Sequence, residues 1–197
     1  MPNKWDEKYR ADATPYLRPI AFVLEAIAEL SPGRALDIAC GPGRHAIALA
    51  QRGWDVDAVD SSAVACEMVR SNGVDGVHVF EADLERGEFR IAPSSYDLIV
   101  VCCYLQRDLM PAIRAGIRDG GHALMVIPMV DEREGLRPMS RQFLLNDGEL
   151  RAYFEDWTIV QYAEGIPADA HRKQVQMLAL NRGQPACSPP KPGTPQN

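Results

Sequence analysis

Signatures of metal binding and disulfide bonding are what this sequence has least of. Its 197 residues include four histidines, His45, His78, His122 and His171, and none is at H-x-x-x-H spacing. Five cysteines, Cys40, Cys66, Cys102, Cys103 and Cys187, form no C-x-x-C pair. Scattered ligands of this kind argue against a zinc site. An odd cysteine count, with no apolar stretch near Met1 to act as a signal, predicts a reduced cytoplasmic protein. Positive charge is also short: 21 Lys and Arg against 27 Asp and Glu give a net charge of −6. That balance lacks the electrostatic footprint of a nucleic-acid binder. No apolar run is long enough to span a bilayer, so no membrane partner is expected. No internal repeat marks a solenoid, and the sequence leaves the oligomeric state open.

What is present suits one globular domain. Hydrophobic residues make up 46% and charged residues 24%, ordinary values for a chain that folds without staples. A single domain is expected over residues 1–183, its first 31 residues forming a lid segment and a helix. The proline-rich tail at 184–197 is expected to be disordered. From Pro15 to Leu30 apolar residues recur at three- and four-residue steps, which predicts a helix stopped by Ser31-Pro32-Gly33.

Strands and helices then alternate. Strands are predicted at Arg34–Ala39, Trp54–Val59, Val77–Glu81, Tyr96–Cys102 and His122–Ile127, and two more at Trp157–Tyr162 and Val175–Asn181. Helices are predicted at Gly43–Gln51, at Ser62–Arg70 with Ser61 as cap, after Asp108 as cap, and from an Asn146–Glu149 capping box to Phe154. The alternation predicts an α/β protein with a doubly wound, mostly parallel sheet. Ligands of such sheets sit at the carboxyl ends of the strands, so the loops after each strand hold the candidate site.

The first of those loops reads Leu36-Asp37-Ile38-Ala39-Cys40-Gly41-Pro42-Gly43-Arg44-His45. Its glycines permit positive φ and bring bare backbone close to a ligand, and the following helix offers free N–H groups. Asp60 closes the second strand, where a carboxylate can accept both hydroxyls of a ribose. Asp37 sits inside the end of the first strand. Beside a pyrophosphate it would be unfavourable, and beside an ammonium it is favourable. Asp83 follows the third strand and can accept from an adenine amine. Ammonium, ribose and adenine without phosphate describe S-adenosylmethionine.

The series LDIACGPG, VDAVDSS, EADLERGEF and YDLIVVCCYL resembles the motifs of class I S-adenosylmethionine-dependent methyltransferases over about Ala35–Ile127. Ala39 stands where that family usually has the first glycine of D-x-G-x-G-x-G. The resemblance implies a seven-stranded Rossmann-like sheet with an antiparallel last strand. It maps cofactor contacts onto Asp37, Ala39, Cys40, Gly41, Gly43, Asp60, Ser61, Ala82, Asp83, Leu84 and Cys102. Further segments, WDEKYR at 5–10, CCYLQRDLMPAI at 102–113, FLLNDGELRAYFEDWTIVQYAEG at 143–165 and HRKQVQMLALNR at 171–182, are similar to the TehB-like, tellurite-resistance branch. That branch implies a late His-Arg pair near the substrate, here His171 and Arg172.

The expected activity is methyl transfer to a small molecule. No second general-base motif appears, which favours a soft or already anionic acceptor such as a thiol or a metalloid oxyanion like tellurite. The roof over the site would come from Trp5, Tyr9 and Arg10, from Cys102, Cys103 and Tyr104, from Arg133, Arg137 and Arg141, and from His171-Arg172. Structural uses compete for the same residues: Trp5 and Tyr9 could dock the N-terminus, and the cysteines could fill the core. Two rival readings stay open. Gly41-x-Gly43-x-x-Ala46 with Asp60 also fits an NAD(P)-dependent oxidoreductase, although no side-chain set for hydride transfer accompanies it. A non-catalytic S-adenosylmethionine-binding protein is the other.

Overall fold

A computed structural model describes residues 4–136, 138–167 and 172–183. Arg137, His171, Cys187 and the tail at 184–197 lie outside the described residues, so the expectations placed on them are not addressed by the fold. Seven strands form one sheet: β1 (Arg34–Ile38), β2 (Asp55–Asp60), β3 (Val77–Glu81), β4 (Tyr96–Cys102), β5 (Ile117–Pro128), β6 (Thr158–Pro167) and β7 (Lys173–Leu180). Their order is β3-β2-β1-β4-β5-β7-β6. The first five pair in parallel. β7 inserts antiparallel between β5 and β6, as the resemblance implied.

The central strands are buried on both faces, which explains why YDLIVVC reads as a continuous apolar run. Alternate residues enter opposite cores. Leu36, Ile38, Ile99, Val101, Met125 and Ile127 pack on one side. Ala35, Leu98, Val100, Leu124 and Val126 pack on the other. α2 (Ala21–Ala28), α3 (Arg44–Ala50) and α4 (Ala63–Asn72) contribute Val23, Leu49 and Val69 to the second core. α5 (Met110–Gly116) and α6 (Glu149–Tyr153) contribute Ile113 and Leu150 to the first.

Local differences from the sequence reading have physical causes. The helix expected over 15–30 is split: a 3-10 turn at Thr14–Tyr16 precedes α2, since Pro19 cannot continue a helix. Helix α4 is capped by Ser62, not Ser61; the Ser62 Oγ accepts the Ala65 N–H at 3.1 Å. Asp108 caps nothing, because it lies inside a 3-10 turn at Arg107–Leu109 that leads directly into α5. Strand β5 starts at Ile117, and its glycines absorb a register shift against Tyr96 and Leu98. Ahead of all this stands α1 (Lys4–Ala11), which packs on α4. Among the described residues no helix is long and apolar enough to cross a membrane.

Candidate active site

Parallel strands β1, β2, β3 and β4 end on one rim, and hydrogen bonds stitch their loops together. The Asp60 carbonyl accepts the Ala82 N–H at 2.9 Å, and the Val59 carbonyl accepts the Cys40 N–H at 3.0 Å. The Asp60 carboxylate then reaches across: Oδ2 accepts the Gly41 N–H and Oδ1 the Ser62 N–H, both at 2.8 Å. Burial raises the Asp60 pKa, and the bonds from Ser62, Gly41 and Ser61 oppose that rise. A carboxylate has about four acceptor sites, so with those three N–H groups seated about one remains for a ligand.

Asp37 is 1% exposed. Its Oδ2 accepts the Ala46 N–H in the first turn of α3 at 3.0 Å. Burial lifts its pKa to about 7, against the Ala46 bond and the Arg44 charge, with Asp60 adding to the rise. Asp83 caps its own turn, accepting the Glu85 N–H at 3.0 Å and pairing with Arg86 at 3.3 Å. Leu84 offers its carbonyl to Gln106 Nε2 at 3.4 Å, and Gln106 Oε1 takes the Tyr104 hydroxyl at 2.6 Å. Burial raises the Tyr104 pKa, and the charges of Glu85, Asp83, Asp108 and Asp60 add to it.

The turn itself is cut to shape. Gly41 and Gly43 have φ of +55° and +84°, and Ala39 takes the same left-handed conformation at +53°. A Cβ on Gly43 would meet Val69 Cγ2 at 2.7 Å. Ala in place of the family's glycine is therefore accommodated at Ala39, at a cost of about 1 kcal/mol in backbone strain. Across the rim, Cys103 is also left-handed at +58° and exposed, while Cys102 beside it is buried, which pushes its thiol well up. Strain of this kind concentrates at functional sites.

Helix α1 closes over this rim. Asp6 Oδ1 accepts the Ser62 hydroxyl at 2.6 Å and the Val64 N–H at 3.3 Å. Tyr9 is buried against Gly41; a Cβ there would lie 2.9 Å from its hydroxyl oxygen. Trp5 stacks on Tyr9 at 5.8 Å, and Tyr16 meets Tyr9 edge-on at 5.4 Å. The sequence signal for this was thin: Asp6 and Tyr9 share a face at three-residue spacing, in a segment otherwise polar. Arg44, unassigned in the sequence reading, also stands at the mouth. His45 is held neutral, its pKa pushed by burial to about 3, and its Nε2 accepts the Ile20 N–H at 3.3 Å.

Cations gather around the end of β5. Arg133 pairs with the Asp131 carboxylate at 2.6 Å, and the Lys173 N–H donates to it at 2.8 Å. Arg172 Nη1 donates to the Asp131 carbonyl at 3.0 Å. Arg172 is thus placed beside the β5 end, whereas His171 is outside the described residues. Among the described residues no cluster of three His, Cys, Asp or Glu could hold a metal.

Comparison with known proteins gives this rim a context. The family model for tellurite resistance protein TehB matches residues 3–178. A relative from Eikenella corrodens, "Hemagglutinin 1", is 31% identical over 79% of this chain and 55% of its own length. A relative from Haemophilus influenzae, "Probable S-adenosyl-L-methionine-dependent methyltransferase TehB", is 26% identical over 73% of this chain and 52% of its own. The chain thus spans about half the length of these relatives. The crystal structure of TehB from Haemophilus influenzae superposes with a TM-score of 0.69 at 23% identity, covering 90% of this chain and 65% of that one.

Proposed function

Since the chain belongs to the TehB family, we propose that it is an S-adenosylmethionine-dependent methyltransferase acting on a small, soft or anionic acceptor. One observation carries the reading: a buried carboxylate, Asp60, spans from the glycine turn to the start of α4 on the rim where parallel strands β1 and β3 also bring Asp37 and Asp83.

The residues present fit the cofactor. Gly41 and Gly43 leave bare backbone where a Cβ would collide. Asp60 has about one acceptor site left for a ribose hydroxyl, with Ser61 at its side. Asp83 and the backbone of Ala82 and Leu84 would border the adenine. Asp37 would face the ammonium, and Ala39, Cys40 and Cys102 would line the floor. A buried carboxylate so close to the turn suits an ammonium and repels a pyrophosphate, which favours this reading over a dinucleotide. When bound, S-adenosylmethionine supplies a methyl group activated by the adjacent sulfonium.

The protein's work is then to align the acceptor and exclude water. Helix α1 covers the rim, and Arg133 and Arg172 bring positive charge to the acceptor side of an acidic chain. Arg172 would orient an anionic acceptor, and His171 is assigned to the same task or to taking up its proton. Such an acceptor, a thiolate or a metalloid oxyanion, needs little help from a base. The test is calorimetric titration with S-adenosylhomocysteine, followed by transfer of labelled methyl to thiols, selenite, tellurite, phenols and carboxylates. Binding with transfer to the thiols or oxyanions supports the reading. Binding without any transfer leaves a non-catalytic binder, and no binding removes the assignment.

A further inference from the structure

Two polar groups at the mouth of the glycine turn are left almost unused by the protein itself. Tyr9 is 7% exposed, yet its hydroxyl has no hydrogen-bond partner among the described residues. The oxygen itself stays open to the space in front of the turn, since among the described residues the buried side-chain polar atom without a partner is Trp54 Nε1. The Tyr9 hydroxyl stands over Gly41, one of the two glycines of the turn, where a Cβ would lie 2.9 Å from it. Burial, followed by the Asp60 charge, raises its pKa, so it remains a donor.

Arg44, the first residue of α3, is the second group. It forms no ion pair among the described residues. Its guanidinium reaches only the Arg18 carbonyl at 3.3 Å and the Cys103 sulfur at 3.6 Å. Both are poor matches for a fork built to take two oxygens at once. Its charge acts on both Tyr9 and Asp37. One small space is therefore bordered by a lone hydroxyl donor, an unpaired guanidinium and a buried carboxyl. Only a ligand end carrying both signs satisfies all three: an anion on the donors and a cation on Asp37. An α-amino acid end does so.

We propose that Tyr9 and Arg44 form a two-point clamp on the carboxylate of the cofactor's amino-acid end. This rests on the S-adenosylmethionine reading above and deepens it. Because Tyr9 belongs to α1, the clamp ties the covering helix to the filled site, with the Asp6–Ser62 bond as the fixed end. Neither residue is among the contacts that the motif resemblance maps.

The test compares two ligands on the full chain by titration calorimetry: S-adenosylhomocysteine and its decarboxylated analogue, which keeps the adenosine, sulfur and amine. The wild type should favour the carboxylate-bearing ligand strongly. Tyr9→Phe and Arg44→Gln should each lose roughly tenfold to a hundredfold on S-adenosylhomocysteine, the range for hydrogen bonds to a charged group. Both should bind the decarboxylated analogue within about threefold of wild type. That unchanged binding also shows that the variants fold. If both ligands weaken equally, or neither does, the clamp is overturned while the cofactor assignment stands. If the wild type binds neither ligand, the cofactor reading itself fails, and the clamp with it.

Discussion

Asp60 and Gly41 are joined across the ends of two neighbouring strands, the carboxylate Oδ2 of one accepting the N–H of the other at 2.8 Å. The second oxygen holds Ser62 at the same distance. The residue that would bind ribose is thus the residue that shapes the turn. Asp60→Asn should therefore affect both stability and binding. An amide nitrogen would face one of the two N–H groups, leaving a buried donor unsatisfied. A loss of about 1–3 kcal/mol in urea unfolding is expected. Affinity for S-adenosylhomocysteine should fall roughly tenfold in calorimetry. Unchanged stability with lost affinity would assign Asp60 to the ligand alone.

Asp37 gives the site a pH dependence. Burial, outweighing the Ala46 bond and the Arg44 charge, raises its pKa to about 7. An ammonium beside it favours the carboxylate and lowers that value on binding. Below about 7 the ligand must therefore displace a proton, and above it the carboxylate is already formed. S-adenosylhomocysteine affinity should rise from pH 6 towards pH 8, with proton release at pH 6 visible as a buffer-dependent heat. Asp37→Asn should flatten the profile. A flat wild-type profile would remove the ammonium from that position.

The parts of the fold set by periodicity were legible. Tyr96–Cys102 reads as a buried strand and is one, since side chains on both of its faces are apolar. The glycine turn and Asp60 were legible because each residue type serves a backbone need. Helix α1 was not legible. Its eight residues are mostly charged, and it is held by Asp6 and Tyr9 making contacts far along the chain. The Ser61–Ser62 choice was settled by the Ser62 Oγ, which reaches the Ala65 N–H at 3.1 Å. Arg44 was missed because its place at the mouth depends on contacts with Arg18 and Cys103, far along the chain.

Arg107 fastens the loop after β4 to the segment after β5. It donates to both Glu149 oxygens at 2.6 and 3.1 Å, and to the carbonyls of Gln142 and Leu144 at 2.6 and 2.9 Å. Burial opposes ionisation of Glu149, but Arg107 and Asn146 outweigh it and hold its pKa below the usual 4.5. Arg107→Met should destabilise the protein by about 1–2 kcal/mol at pH 7, reduced by the partial exposure of the pair. A carboxyl with a lowered pKa stabilises above its unfolded value and loses that contribution as pH falls through the folded one. The gap between variant and wild type in urea melts should narrow below about pH 4.5. A gap constant down to pH 3 would assign the loss to packing.

The seat of Tyr9 on the glycine turn can be tested without any ligand. Gly41 and Ala39 have nearly the same φ, +55° and +53°, so this loop already carries one alanine in the left-handed conformation. The backbone part of a Gly41→Ala change should cost about 1 kcal/mol. The remainder is steric and has one source: the new Cβ would lie 2.9 Å from the Tyr9 hydroxyl but 3.6 Å from the ring carbon bearing it. Tyr9→Phe removes the colliding atom and leaves an ordinary contact. Gly41→Ala alone should therefore lose about 2–3 kcal/mol, and in the Tyr9→Phe background only about 1 kcal/mol. The coupling in a urea-denaturation double-mutant cycle is then about 1–2 kcal/mol. If Gly41→Ala costs the same in both backgrounds, α1 does not rest on the turn in solution, and Tyr9 has no place over the cofactor site.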